Sequence, residues 1–259
     1  MTAPPVVLLD LEGTLFASGA ALPGAAEALR ELRAAGARLR FLTNIDSRPP
    51  AAVAAELNGY GVDLRVEELF TPVSAAHVLF DSVPGARVLP LVSAALRPEF
   101  AALTQEPPYT HVLVGDCRDV LDYPALDGAF RALRDGAELI ASQRGRYFRR
   151  GDGDHLDTGA VVVGLEYAAG TTARVLGKPS TDFFDLAARS LGVAVTDCVV
   201  VGDDATTDIE GGRAAGARTV QVRTGKYAAQ HAEGLTGKAD VTIDSVRELP
   251  GLLAAGTPV

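Results

Sequence analysis

Two pairs of carboxylates, one hydroxyl and one ammonium carry the chemistry this chain could do. Asp10 and Glu12 follow the apolar run Val6-Val7-Leu8-Leu9 and precede Gly13-Thr14. Asp203 and Asp208 follow the apolar run Cys198-Val199-Val200-Val201 and Gly202. Thr43 closes Arg38-Leu39-Arg40-Phe41-Leu42, and Lys178 stands in Gly177-Lys178-Pro179-Ser180. Carboxylates from two segments make an oxygen site for a hard cation, and Mg²⁺ takes few of them while keeping room for waters and a phosphate. A hydroxyl and an ammonium beside such a site suit a transferring phosphoryl group. Taken singly, each feature is ordinary: a surface lysine, a strand-end threonine, an acidic turn. The ordered combination is what is specific.

The elements that must position these residues are strands. Val6 to Leu9 is apolar on both faces, as a central parallel strand must be. Asp10 then stands at its carboxyl end, the edge where open α/β sheets bind ligands. The periodicity predicts helices over 25–35, from 47 to 58, and over 73–80, with strands at 38–42 between the first two and 198–201, 219–222 and 240–243 later. Strands alternating with helices predict a parallel sheet with right-handed crossovers. A more compact repeat of this pattern, with strands at 87–92, 111–115 and 138–142 and helices at 125–134 and 158–168, predicts a second α/β unit inserted into the first. The expected division is a Rossmann-like, doubly wound core of residues 1–80 and 176–259, and a smaller α/β unit of residues 81–175. Arg144-Gly145-Arg146-Tyr147-Phe148-Arg149-Arg150 is the most basic stretch and reads as a solvated hairpin, with an anion-facing edge as the functional alternative. Asp157 or Thr158 would cap the helix that follows, and its free N–H groups could face an anion.

The totals bound the class. At 259 residues the chain can bury a sizeable core, and its net charge of −9 argues against a nucleic-acid footprint, which would want a basic face. Cys117 and Cys198 have neither metal nor disulfide spacing, which suits a reducing cytoplasmic setting. The N-terminus has no signal-peptide pattern, and no apolar run is long enough to span a membrane.

In the order found here, the motifs Asp-x-acid-Gly-Thr, Thr after an apolar strand, Gly-Lys-Pro and Val-Gly-Asp-x-x-x-x-Asp resemble those of the haloacid dehalogenase (HAD) superfamily of phosphatases. The insert resembles the C2-type cap of the NagD-like branch. Gly145-Arg146-Tyr147, Leu165-Glu166-Tyr167-Ala168 and Gln221-Val222-Arg223-Thr224-Gly225-Lys226-Tyr227 extend the resemblance over essentially the whole chain. The resemblance implies an Mg²⁺-dependent phosphohydrolase acting on a small phosphorylated compound. Asp10 would attack phosphorus and carry an aspartyl-phosphate. Asp10, Asp203 and the backbone carbonyl of Glu12 would hold Mg²⁺, with Asp208 behind them or acting through water. Thr43 and Lys178 would grip the phosphoryl oxygens. Asn44, Asp157, Thr158 and Gly159 would contact substrate, the cap would close over the site, and a homodimer could form through it. Glu12 departs from the family, which generally has Asp there to protonate the leaving group and activate water. Glutamate moves the carboxyl by roughly one C–C bond, about 1.5 Å, so an active but slow enzyme is expected. Two other readings stay open: a metal-independent dehalogenase, against which Asp203 and Asp208 count, and a low-turnover binding or regulatory protein on the same scaffold.

Overall fold

The computed structural model describes residues 4–104, 106–150, 152–235 and 237–255. The chain opens with β1 (Val6–Asp10), all five residues buried. A short hairpin, β2 (Phe16–Ala17) and β3 (Ala20–Ala21), follows. Helix α1 (Ala25–Ala34) buries Ala25, Ala28, Leu29 and Leu32, the stripe that a 3.6-residue period places on one face. Next come β4 (Arg38–Leu42), α2 (Pro50–Gly59) and β5 (Leu69–Phe70). Helix α3 (Pro72–Asp81) is capped by Thr71, whose hydroxyl oxygen accepts from the Ser74 N–H at 3.2 Å. Proline at its first position forfeits no helical bond.

A second run of elements comprises β6 (Val88–Leu91), β7 (His111–Val114), α4 (Tyr123–Arg134) and β8 (Glu138–Ala141), then the hairpin β9 (Tyr147–Arg150) and β10 (Gly153–Leu156), then α5 (Thr158–Ala169) and β11 (Arg174–Val175). The first pattern then resumes with α6 (Thr181–Arg189), β12 (Cys198–Gly202), α7 (Glu210–Ala214), β13 (Arg218–Val222), α8 (Tyr227–Ala232), β14 (Val241–Ile243) and α9 (Leu249–Ala254).

The chain divides into two compact units. One comprises Met1–Thr43, Pro50–Phe70 and Lys178–Val259; the other comprises Asn44–Pro49 and Thr71–Gly177. The first holds a six-stranded parallel sheet in the order β14-β13-β12-β1-β4-β5. Sequence order runs outward from β1 on one side and from β12 on the other, so strand order reverses beside β1, the switch point at which such sheets bind ligands. The second holds a four-stranded parallel sheet, β11-β8-β7-β6, whose core joins Val112, Val114 and Leu139 to Ala129 and Leu133 of α4 and Val162 and Leu165 of α5. This is the expected α/β, Rossmann-like architecture.

The division differs from the expected boundary at residue 80. Helix α3 groups with the second unit, because the Phe80 ring meets those of Phe100 and His111 at centroid distances of 6.5 and 5.3 Å. Residues 44–49 group there too, and the Ser93 hydroxyl donates to the Ser47 carbonyl at 3.0 Å. Periodicity reveals a helix but not which of two cores its apolar face meets. No helix among the described residues is long and apolar enough to cross a membrane.

Candidate active site

The first unit delivers its polar groups from neighbouring strand ends. β1 ends on Asp10, β12 is followed by Asp203, and β4 is followed by Thr43. These strands are parallel neighbours in register, Leu9 beside Val201 and Asp10 beside Leu42, so the three ends share one sheet edge. Lys178 Nζ donates to Asp10 Oδ1 at 2.5 Å and to Asp208 Oδ1 at 2.7 Å. The Thr14 hydroxyl donates to Asp10 Oδ2 at 3.2 Å. Asp10, Asp203 and Asp208 each offer a carboxylate oxygen within 4.8 Å of the others, and all three are buried. Gly13 makes this possible: its φ is +87°, and a Cβ there would fall 2.5 Å from the Asp203 carboxyl carbon.

Burial raises the pKa of Asp203, and repulsion from Asp10 adds to it. Asp208 is likewise raised, by burial and by Asp10, against the opposing pull of Lys178. Burial alone would lower the Lys178 ammonium; the Asp10 and Asp208 carboxylates outweigh it and hold it above its ordinary value. Three buried carboxylates crowded together, two of them bonded to one ammonium, are a donor set of hard oxygens that fits a divalent cation.

The remaining sequence-predicted residues are not members of this group of three carboxylates. Glu12 is exposed, and its carboxylate is outside the buried group. Thr43 is buried, with its N–H donating to the Phe70 carbonyl at 3.2 Å. Asn44, Asp157, Thr158 and Gly159 belong to the second unit. There Asp157 caps α5: its Oδ1 accepts from the Thr158 N–H and from Gln143 Nε2, both at 2.8 Å. The Gly159 N–H donates to the Gly145 carbonyl at 3.0 Å. In the basic stretch, Arg144 pairs with Glu166 at 2.6 Å, while the Arg149 and Arg150 side chains lie outside the described residues.

Two acidic residues were missed by the sequence reading. Asp204 is buried, and burial acts to raise it, but the Lys226 ammonium and a set of donors hold its carboxyl well below the usual range. Asp46 is buried in the second unit, where the Ser142 hydroxyl and, at 3.2 Å, the Thr158 hydroxyl donate to its Oδ2. Burial, with like charge from Asp157 and Asp116, pushes Asp46 up to about 6. An acid in the loop after Thr43 was visible in the sequence; its burial was not.

The sequence pattern of the family described as haloacid dehalogenase-like hydrolase matches residues 7–104, and that described as HAD-hydrolase-like matches residues 175–249. Haloacid dehalogenase-like hydrolase domain-containing protein 2 of Bos taurus is 38% identical over 92% of this chain and 92% of its own length. The chain belongs to the haloacid dehalogenase-like hydrolase family. Phospholysine phosphohistidine inorganic pyrophosphate phosphatase of Homo sapiens is 34% identical, over 95% of this chain and 93% of its own length. The solved structure of NagD from E. coli K-12 superposes with a TM-score of 0.83 at 26% identity, over 96% of this chain and 98% of that one. The protein is thus a HAD-type phosphatase of the NagD-like branch, as its motifs implied.

Proposed function

We propose that this phosphatase is Mg²⁺-dependent and passes its phosphoryl group through Asp10. The observation that carries the proposal is the Asp10 carboxylate at the sheet edge, with Lys178 on one oxygen, Thr14 on the other, and Asp203 and Asp208 beside it. Asp10, Asp203 and the Glu12 carbonyl would hold the cation, with Asp208 supporting them. When bound, Mg²⁺ offsets the repulsion between an anionic carboxylate and an anionic phosphate.

An Asp10 oxygen attacks phosphorus, and the bond to the leaving oxygen or nitrogen breaks with its electron pair. Glu12 donates a proton to the leaving group. Water then attacks phosphorus, the bond to Asp10 breaks, and Glu12 takes the water's proton, so both residues return to their starting state. Lys178 and Thr43 hold the phosphoryl oxygens. Recognition of the rest of the substrate falls, by family resemblance, to Asn44, Asp157, Thr158 and Gly159. The human relative's name adds phosphoramidates and pyrophosphate to the phosphate esters worth testing. The test is phosphate release from p-nitrophenyl phosphate and inorganic pyrophosphate, with Mg²⁺ and with EDTA. Release with Mg²⁺ that EDTA abolishes supports the reading; release unchanged by EDTA overturns its metal dependence.

A further inference from the structure

The Gln221–Tyr227 motif has no part in the chemistry above, yet it bonds to both acidic loops. The Lys226 N–H donates to Asp203 Oδ2 at 2.7 Å. Its ammonium reaches Asp204 Oδ2 at 2.8 Å. From one turn into α8, Gln230 closes the same loop twice: its amide donates to Asp204 Oδ1 at 2.8 Å, and its Oε1 accepts from the Ala205 N–H at 2.8 Å. The Thr224 hydroxyl donates to the Gly13 carbonyl at 2.5 Å, so the segment also grips the turn after Asp10. Between these contacts Gly225 passes so close that a Cβ would lie 2.6 Å from Gly13 Cα.

The Asp204 N–H in turn donates to Asp208 Oδ2 at 3.2 Å. Asp204 is therefore clamped from outside by Lys226 and Gln230, and from its own backbone it touches one carboxylate of the buried group. Lys226 touches another. Neither Lys226 nor Gln230 belongs to the group of three carboxylates.

We infer that Lys226 and Gln230 are positioning residues that, through Asp204, set the Asp208 carboxylate for the divalent cation, and that fixing Lys226 by its ammonium also holds its N–H on the Asp203 carboxylate. The inference rests on the proposed metal dependence and adds to it the device that presets the ligands. Groups that orient metal ligands from outside typically contribute 10–100-fold in affinity or activity. The Lys226 side chain is largely exposed, 65%, so Lys226→Met can keep the stem and remove only the ammonium.

The experiment is calorimetric titration of Mg²⁺ into metal-free protein, for wild type, Lys226→Met, Lys226→Arg and Gln230→Leu, with unfolding midpoints measured alongside. A Mg²⁺ dissociation constant raised about 10-fold in Lys226→Met and Gln230→Leu is expected. Lys226→Arg should restore most of the affinity, and KM for p-nitrophenyl phosphate at saturating Mg²⁺ should stay within about twofold. Wild-type affinity in folded Lys226→Met and Gln230→Leu would overturn the positioning role while leaving the metal dependence intact. A wild-type chain that binds no Mg²⁺ would overturn both.

Discussion

Asp46 gives a pH dependence whose sign and size follow from its surroundings. The side chain is buried and accepts from the Ser142 and Thr158 hydroxyls. The charged groups acting on it are Asp157 and Asp116, both of its own sign. Its pKa in the folded chain, about 6, stands above the ordinary 3.8. An acid raised by folding binds its proton more tightly in the folded state, so its contribution favours folding at low pH and is lost as pH rises through the folded value. At about 1.4 kcal/mol for each tenfold, the interval from 3.8 to about 6 corresponds to roughly 3 kcal/mol, fully lost above pH 6. Asp46→Asn keeps an oxygen to accept from both hydroxyls and carries no charge. Denaturant unfolding of both proteins from pH 4 to pH 8 checks this. Asp46→Asn should gain on wild type steadily between about pH 4 and 6, by on the order of 2–3 kcal/mol, and the gap should then stay constant. A gap that does not change with pH, or that narrows as pH rises, would refute the reasoning.

Two further outcomes follow from the site. Glu12→Gln should slow turnover on the order of 100-fold for an alkyl phosphate, whose leaving group needs a proton, and much less for p-nitrophenyl phosphate; equal effects on both, in steady-state kinetics, would remove Glu12 from the acid/base role. Gly13→Ala places a side chain at φ +87° against the Asp203 carboxyl. It should cost about 1–3 kcal/mol in unfolding measurements and weaken Mg²⁺ binding in calorimetry.

The parts of the fold that position the site were legible because their signals are local. β1 is a continuous apolar run ending in an acid and β12 one that an acid follows, and a strand buried on both faces can be little else. β5 and β11, at two residues each, are too short to carry a period. The wide π-type turn over Ala205–Ile209, where Asp204 caps the Thr206 and Thr207 N–H groups, has no periodic signal of its own. Within the site, Asp10, Lys178, Asp203 and Asp208 were readable because each stands at a strand end or in a loop the alternation places at one edge. Thr14 stood in the recognised stretch, but its bond to Asp10 depends on the turn at Gly13. Asp46 is buried by hydroxyls 96 and 112 residues away, a pairing no local pattern encodes. Asp204 looked like half of an acidic turn, and only the return of the chain through Lys226 and Gln230 gives it a partner.

The central claim is that Asp10 carries the phosphoryl group. Acid-quenching the Mg²⁺-supported reaction during turnover and mapping the chain by mass spectrometry tests it most directly. A phosphoryl group on Asp10, absent from Asp10→Asn along with phosphate release, is the predicted result. Phosphate release that persists in Asp10→Asn, or a phosphoryl group found on another residue, would contradict the account.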